Sequence, residues 1–301
     1  MLITKANLFL LYGPGARCGI PLPFSPIVSD QVVVITAAML SSKSTMALHA
    51  ILCLCSVVTG LAIPKVDSRD ADPRLALVSG LPLRIMPLGA SITFGTASTD
   101  GNGYRQALRN KLTAFGNPVN MVGSHPNGTM KDNENEGWPG FVIDEVHDKS
   151  NQNVPITKPN LVLINAGTND ALQNRDVANA GARMTSMIND VFKQSPQATV
   201  VLSSLIPNRN ADAQSRAVEI NKQYDNVVNT LRGQGRQIVF ADMQSAAGPT
   251  AADLVADGTH PTDAGYVKMA NVWMDAIVQA TLAGFLRKAE PLDGFPDDGG
   301  A

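Results

Sequence analysis

The stretch Leu83-Arg84-Ile85-Met86-Pro87-Leu88-Gly89-Ala90-Ser91-Ile92-Thr93-Phe94-Gly95 decides the fold. An apolar run ends abruptly at Gly89-Ala90-Ser91, and helix-like sequence begins a few residues later. A strand that stops at a small-residue turn leaves the next side chain exposed at the carboxyl edge of its sheet. In open α/β sheets that edge is where ligands bind. Ser91 is therefore a candidate nucleophile, and the rest of the chain must supply its partners.

Outward from this stretch, strand-like and helix-like segments alternate. Further strands are expected at Val119–Val122, Leu161–Asn165, Ala198–Leu202 and Gln237–Ala241, and helices at Tyr104–Phe115, Val177–Lys193, Ala213–Leu231 and Ala264–Leu282. Most of the strands are nearly continuous apolar runs, as a parallel sheet covered on both faces requires. The expectation is an α/β protein: a three-layer α/β/α sandwich with a five-stranded parallel sheet, in which the order 2-1-3-4-5 brings the ends of the first three strands together. Gly123 to Asn160 reads as a long loop, and long loops usually carry function.

The chain has 301 residues, 44% hydrophobic and 17% charged, an ordinary globular balance. A formal net charge of -2 gives no basic surface for nucleic acid. All three Cys (Cys18, Cys53, Cys55) fall in the first sixty residues. Read from Met39, Lys43 supplies a basic region, Ala47 to Val58 an apolar one, and Ala62 closes a small-residue site: a secretory signal pattern. A single membrane anchor is the alternative. The expected organisation is residues 1–62 as extension plus signal, with translation starting at Met39 or Met46. A flexible lead-in at 63–82, a domain at 83–286 and a disordered tail at 287–301 follow. The mature protein is then expected to be secreted, extracellular and without stable membrane association. In that context Asn127-Gly128-Thr129 is a glycosylation sequon, used or unused.

Acyl transfer by serine needs a nucleophile, an imidazole base, a group that orients the base, and donors for the developing oxyanion. Beyond the signal the imidazoles are His125, His147 and His260. His147, among Glu145, Asp148 and Lys149, reads as a solvated loop residue; His125 has no carboxylate close in sequence. His260 lies in Asp257-Gly258-Thr259-His260-Pro261-Thr262-Asp263, directly before the last helix. A tight turn would aim Asp257 at its ring; the bland reading of D-x-x-H is a capping turn with an incidental His. Asn169, in Asn165-Ala166-Gly167-Thr168-Asn169-Asp170, can project an amide donor over the sheet edge, or Asn169-Asp170 can be a helix cap. Gly123, at the end of the second strand, could present a backbone N–H. No cluster has metal-ligand spacing.

Gly89-Ala90-Ser91, Gly123, Gly167-Thr168-Asn169-Asp170 and Asp257-x-x-His260 together resemble the four blocks of the SGNH (GDSL-type) hydrolases, in order and spacing. Arg84 to Gly89 and Glu136-Gly137-Trp138-Pro139-Gly140 further resemble carbohydrate esterase family 3, which contains secreted acetylxylan esterases. The resemblance implies a flavodoxin-like fold with Ser91 as nucleophile and Asp257 and His260 completing a triad. It assigns the oxyanion hole to the Ser91 N–H, the Gly123 N–H and the Asn169 amide. It implies no metal and no organic cofactor. The substrate would be acetylated polysaccharide or a small ester, with Trp138 as a sugar-facing residue or, equally, a core residue of its loop. A short-chain acyl or lipid esterase and a non-catalytic carbohydrate-binding relative are the alternatives. One position departs from the pattern: Ala90 stands where the family usually has Asp.

Overall fold

The computed structural model describes residues 80–293. The expected signal region, most of the lead-in and residues 294–301 lie outside the described residues.

Six parallel strands form one sheet: β1 (Leu83–Gly89), β2 (Val119–Met121), β3 (Glu136–Gly137), β4 (Leu161–Asn165), β5 (Thr199–Ser203) and β6 (Ile238–Ala241). The order β2-β1-β4-β5-β6 is the expected 2-1-3-4-5; the additional strand β3, two residues long, pairs with the end of β1 and makes the sheet six-stranded rather than five-stranded. Every residue of β1, β4 and β5 is buried. Their side chains alternate between two apolar layers, as the twofold pleat requires. Met86, Leu88, Val162, Ile164, Val200 and Leu202 enter one layer. Leu83, Ile85, Leu161, Leu163 and Val201 enter the other.

Helices close both faces. On the first lie α3 (Ile143–Thr157), α5 (Ala180–Gln194) and α6 (Ala211–Gly233); on the second, α2 (Tyr104–Ala114) and α7 (Asp263–Leu282). Two short helices, α1 (Ser91–Phe94) and α4 (Thr168–Gln173), follow β1 and β4 directly. Pro87 interrupts no ladder, because it falls where β1 changes partner from β2 to β3.

Three expectations need correction. The Gly123–Asn160 stretch is not a continuous loop: it contains β3 and the fifteen-residue α3. Ile143, Val146, Ser150, Val154 and Thr157 are buried at helical spacing, but Pro155 and the polar run Asp148 to Asn153 hide the pattern. The start of α3 is fastened from outside. Asp170 accepts the Ile143 N–H at 3.0 Å and pairs with Arg183 at 2.7 Å. Burial pushes the Asp170 carboxyl above its ordinary value even with Arg183 beside it.

The domain boundaries also move. Residues 80–82 are held in place: Gly80 N–H donates to Gly116 O, Asn117 to Leu81 O, and Asn160 to Pro82 O. At the other end, residues 287–290 dock on the amino edge of the sheet and are not a disordered tail. The fully buried Asn160 donates to Arg287 O at 2.7 Å, Arg84 donates to Glu290 O at 3.1 Å, and Ala289 is 4% exposed. Apart from Ala289, residues 287–290 dock through backbone carbonyls, so their composition gave little sign of docking. Truncation after Leu286 leaves one buried amide hydrogen of Asn160 without its acceptor, while Arg84 keeps Thr157 O and Lys158 O. It is expected to lower unfolding free energy in urea by about 1–3 kcal/mol.

Candidate active site

The site begins where β1 stops. At Gly89 a Cβ would sit 2.2 Å from Asn165 O and 2.4 Å from Thr93 Oγ1, so only glycine lets β1, β4 and α1 approach this closely. Ala90 is the N-cap of α1 and makes no side-chain cap bond. Ser91 is therefore the first helical residue, and its N–H has no intrahelical partner. Gly95, at φ 93, ends the turn.

The carbonyl end of α1 is gripped by two side chains. The Arg105 guanidinium donates to Phe94 O, Gly101 O, Asn127 O and Asn133 O. The Asn127 amide donates to Phe94 O at 2.8 Å and Gly101 O at 2.9 Å. Arg105 is fully buried. Four peptide carbonyls around one guanidinium bind the turn after Ser91 to the loop that carries Gly123.

His260 arrives from the loop after β6. An antiparallel bridge between Leu254 and Pro261 closes that loop, and Val255 N–H donates to His260 O. Arg209 braces it from the loop after β5, donating from its guanidinium to Ala251 O, Leu254 O and Val255 O and from its N–H to Gly258 O. Gly258, at φ +72, leaves room that a Cβ would fill at 2.8 Å from Arg209 Cβ. Thr262 caps α7 through the Gly265 N–H.

Within this frame His260 Nε2 lies 2.8 Å from Ser91 Oγ, and His260 Nδ1 lies 2.6 Å from Asp257 Oδ2. Asp257 Oδ1 also accepts the N–H groups of Thr259 and His260. One Asp257 oxygen thus takes the N–H groups of the turn, and the other meets the His260 ring. Burial pushes the Asp257 carboxyl up, but the bonds from the His260 ring and the two backbone N–H groups outweigh it and hold it below the ordinary carboxylate range. With Nδ1–H donating to Asp257, Nε2 is the nitrogen free to take the Ser91 proton; the tautomer is assigned from this network.

Gly123, Ser91 and Asn169 follow the carboxyl ends of the neighbouring strands β2, β1 and β4. Asn169 donates one amide hydrogen to Phe141 O at 2.8 Å, which leaves the second to point elsewhere. A Cβ on Gly123 would lie 2.3 Å from the Asn135 backbone.

Trp138 stands beside the same edge, its N–H donating to Gly89 O. Its ring stacks on His125 at 4.2 Å, and Lys149 Nζ lies 4.0 Å from its centroid. Phe141 stacks near it at 5.6 Å, and the residue as a whole is half-buried. His125 donates its Nδ1–H to Gly137 O at 2.7 Å, and its ring lies 4.8 Å from that of Phe94. His147 is not a solvated loop residue: it lies on α3, with Nε2 3.0 Å from Asp190. Arg105 and Arg209 leave no motif in the sequence, since they bond to backbone carbonyls, and Glu136 stands out there only as part of the Glu136–Gly140 stretch.

A parallel α/β/α sheet with a serine–histidine–aspartate chain at its carboxyl edge defines the class of three-layer serine hydrolases. Residues 88–268 match the model of the GDSL-like Lipase/Acylhydrolase family, and the chain belongs to that family. It is 25% identical over 250 residues to a multidomain esterase of Ruminococcus flavefaciens, covering 72% of this chain and 31% of that protein. It spans less than half the length of the curated relatives it matches. Among solved structures it resembles a family 3 carbohydrate esterase of Clostridium thermocellum (TM-score 0.60, 25% identity, covering 67% of this chain and 98% of that one). It also resembles a carbohydrate esterase family 3 structure from Talaromyces cellulolyticus (TM-score 0.58, 26% identity, 67% and 99%). Among the described residues no helix is long and apolar enough to cross a membrane, and no group of three or more His, Cys, Asp or Glu is placed to hold a metal ion.

The sequon at Asn127 has a specific expected outcome. Both hydrogens of its amide are given to Phe94 O and Gly101 O, so a glycan on that nitrogen would sacrifice a bond that ties α1 in place. Peptide mapping of material secreted from a glycosylating host is expected to find Asn127 unmodified. A glycosylated, fully active fraction would contradict the bonding described.

Proposed function

We propose that the chain is a serine carboxylic ester hydrolase that removes O-acetyl groups from plant cell-wall polysaccharide of the acetylxylan kind. One observation carries the chemistry: the unbroken chain Asp257–His260–Ser91, at 2.6 and 2.8 Å, between elements 169 residues apart. In this reading Ser91 is the nucleophile, His260 the base and Asp257 its orienting carboxylate. The Ser91 N–H, the Gly123 N–H and the Asn169 amide receive the oxyanion.

His260 Nε2 takes the Ser91 proton as Oγ attacks the ester carbonyl. The C–O bond to the sugar breaks, and the proton on Nε2 passes to the departing alcohol oxygen. Water then gives a proton to Nε2 and adds to the acetyl-enzyme; acetate leaves, and the proton returns to Ser91 Oγ. Asp257 holds Nδ1–H throughout and stabilises the transient imidazolium.

The choice of substrate rests on likeness to structures titled family 3 carbohydrate esterases, nearly the whole of which this chain covers. Secretion rests on the signal pattern from Met39 to Ala62. Acetate release from acetylated xylan is expected to outpace hydrolysis of long-chain aryl esters; the reverse order would favour a lipid esterase. Ser91→Ala is expected to lower kcat by at least ~10⁴-fold with unfolding unchanged.

The pH profile follows from the pair. Asp257, held below the ordinary carboxylate range, keeps its charge as acid is added, while His260 must be neutral to act. The acid limb of kcat/KM is therefore expected to show uptake of one proton. A two-proton limb would mean that Asp257 titrates with the ring.

A further inference from the structure

Glu136 is a carboxylate with no access to solvent, in the two-residue strand β3. Its Oε1 accepts the Ser124 N–H, and its Oε2 accepts the Trp138 Nε1–H at 2.8 Å. Among the described residues no ion pair includes it. A buried carboxylate answered only by neutral donors is costly. What it offers in return is geometry: two acceptor oxygens and no donor.

The geometry lies one peptide from Gly123. Val122 N–H donates to Ile85 O at 2.8 Å, Ser124 N–H to Glu136, and His125 N–H to Asn135 O at 3.0 Å. The amides on both sides of Gly123 are therefore fixed, and Glu136 supplies the one fixing contact that comes from a side chain. The second oxygen fastens Glu136 itself, because the indole it holds stacks on His125, lies 4.0 Å from Lys149 Nζ, and belongs to a residue whose backbone N–H donates to Gly89 O. The strut runs from the end of β1, through Trp138 and Glu136, to the peptide after Gly123.

We propose that Glu136 is a positioning residue that aims the Gly123 N–H at the oxyanion, with Trp138 as the clamp that holds its carboxylate. This deepens the esterase reading and rests on it. Glutamine is nearly isosteric but cannot replace it. One amide oxygen can accept from Ser124 or from Trp138, and the –NH2 then faces the other N–H. Removing the indole N–H removes that conflict.

The test uses the full chain as Glu136→Gln and as the double variant Glu136→Gln/Trp138→Phe, with 4-nitrophenyl acetate as substrate. Rates are expressed per reactive serine, counted by fluorophosphonate labelling to completion, so that unfolded protein does not enter. Because small misplacement of a catalytic group is costly, Glu136→Gln is expected to lower kcat about 10- to 100-fold while KM moves less than about threefold. The double variant is expected to recover part of that loss, which a merely structural role for either side chain would not produce. The proposal is overturned if kcat of Glu136→Gln stays within about twofold of the native value, well short of the cost of a misaimed donor. It is equally overturned if the loss lies in KM, if the double variant is no faster than the single one, or if neither variant takes the label. Absence of label from Ser91 in the native protein would instead defeat the esterase reading, and so distinguishes the two failures.

Discussion

The approach of β1 to β4 at Gly89 governs the rest of the molecule. No side chain fits between that α-carbon and Asn165 O. The strand can therefore end flush against its neighbour and turn at once into α1, which carries Ser91 at the carboxyl edge. The same closeness lets the Trp138 N–H reach Gly89 O from the far side. The loops from β2 and β4 thus converge on one serine because the backbone between them has been stripped of side chains, and the two apolar layers hold that backbone still.

A sheet fixes strand ends to within a pleat; it does not fix loops to hydrogen-bond tolerance. That second task falls to polar side chains bonded to peptides. Arg105 and Asn127 hold α1 to the loop after β2, and Arg209 holds the His260 loop to the loop after β5. Asp170 joins α3, α4 and α5. The buried Arg105, the half-buried Asn127 and the exposed Arg209 each bond several peptide carbonyls from one head, and the buried Asp170 bonds one peptide N–H and one guanidinium. A guanidinium or carboxylate does this well, since it presents several donors or acceptors in a fixed plane.

This division explains what could be read beforehand. The strands were legible because a strand buried on both faces is mostly apolar, and β1, β4 and β5 are so apart from Arg84 and the end residues Asn165, Thr199 and Ser203. Ser91, Asp257 and His260 were legible because their chemistry needs particular residue types at turns after strands, and small residues and Pro mark such turns. The α3 helix was not: its buried positions include Ser150 and Thr157, and Pro155 sits inside its last turn. Arg105 and Arg209 were equally opaque, and Glu136 was visible only as part of the Glu136–Gly140 stretch, without a role. A residue that bonds to backbone can be partnered by any sequence, so its partners leave no trace in composition or spacing.

The same reasoning bears on Ala90. The family pattern puts a carboxylate there, at the N-cap of α1, where it would bond to helix N–H groups or compete for them. In this chain the position is a buried methyl group that makes no such bond. The turn is nonetheless held from its other end, where Phe94 O takes hydrogens from both Arg105 and Asn127. A four-residue helix has so few internal bonds that fastening either terminus fixes the whole. Loss of the cap is therefore compatible with an ordered Ser91, and the cost falls on the stability of one turn rather than on the alignment of Ser91 with His260.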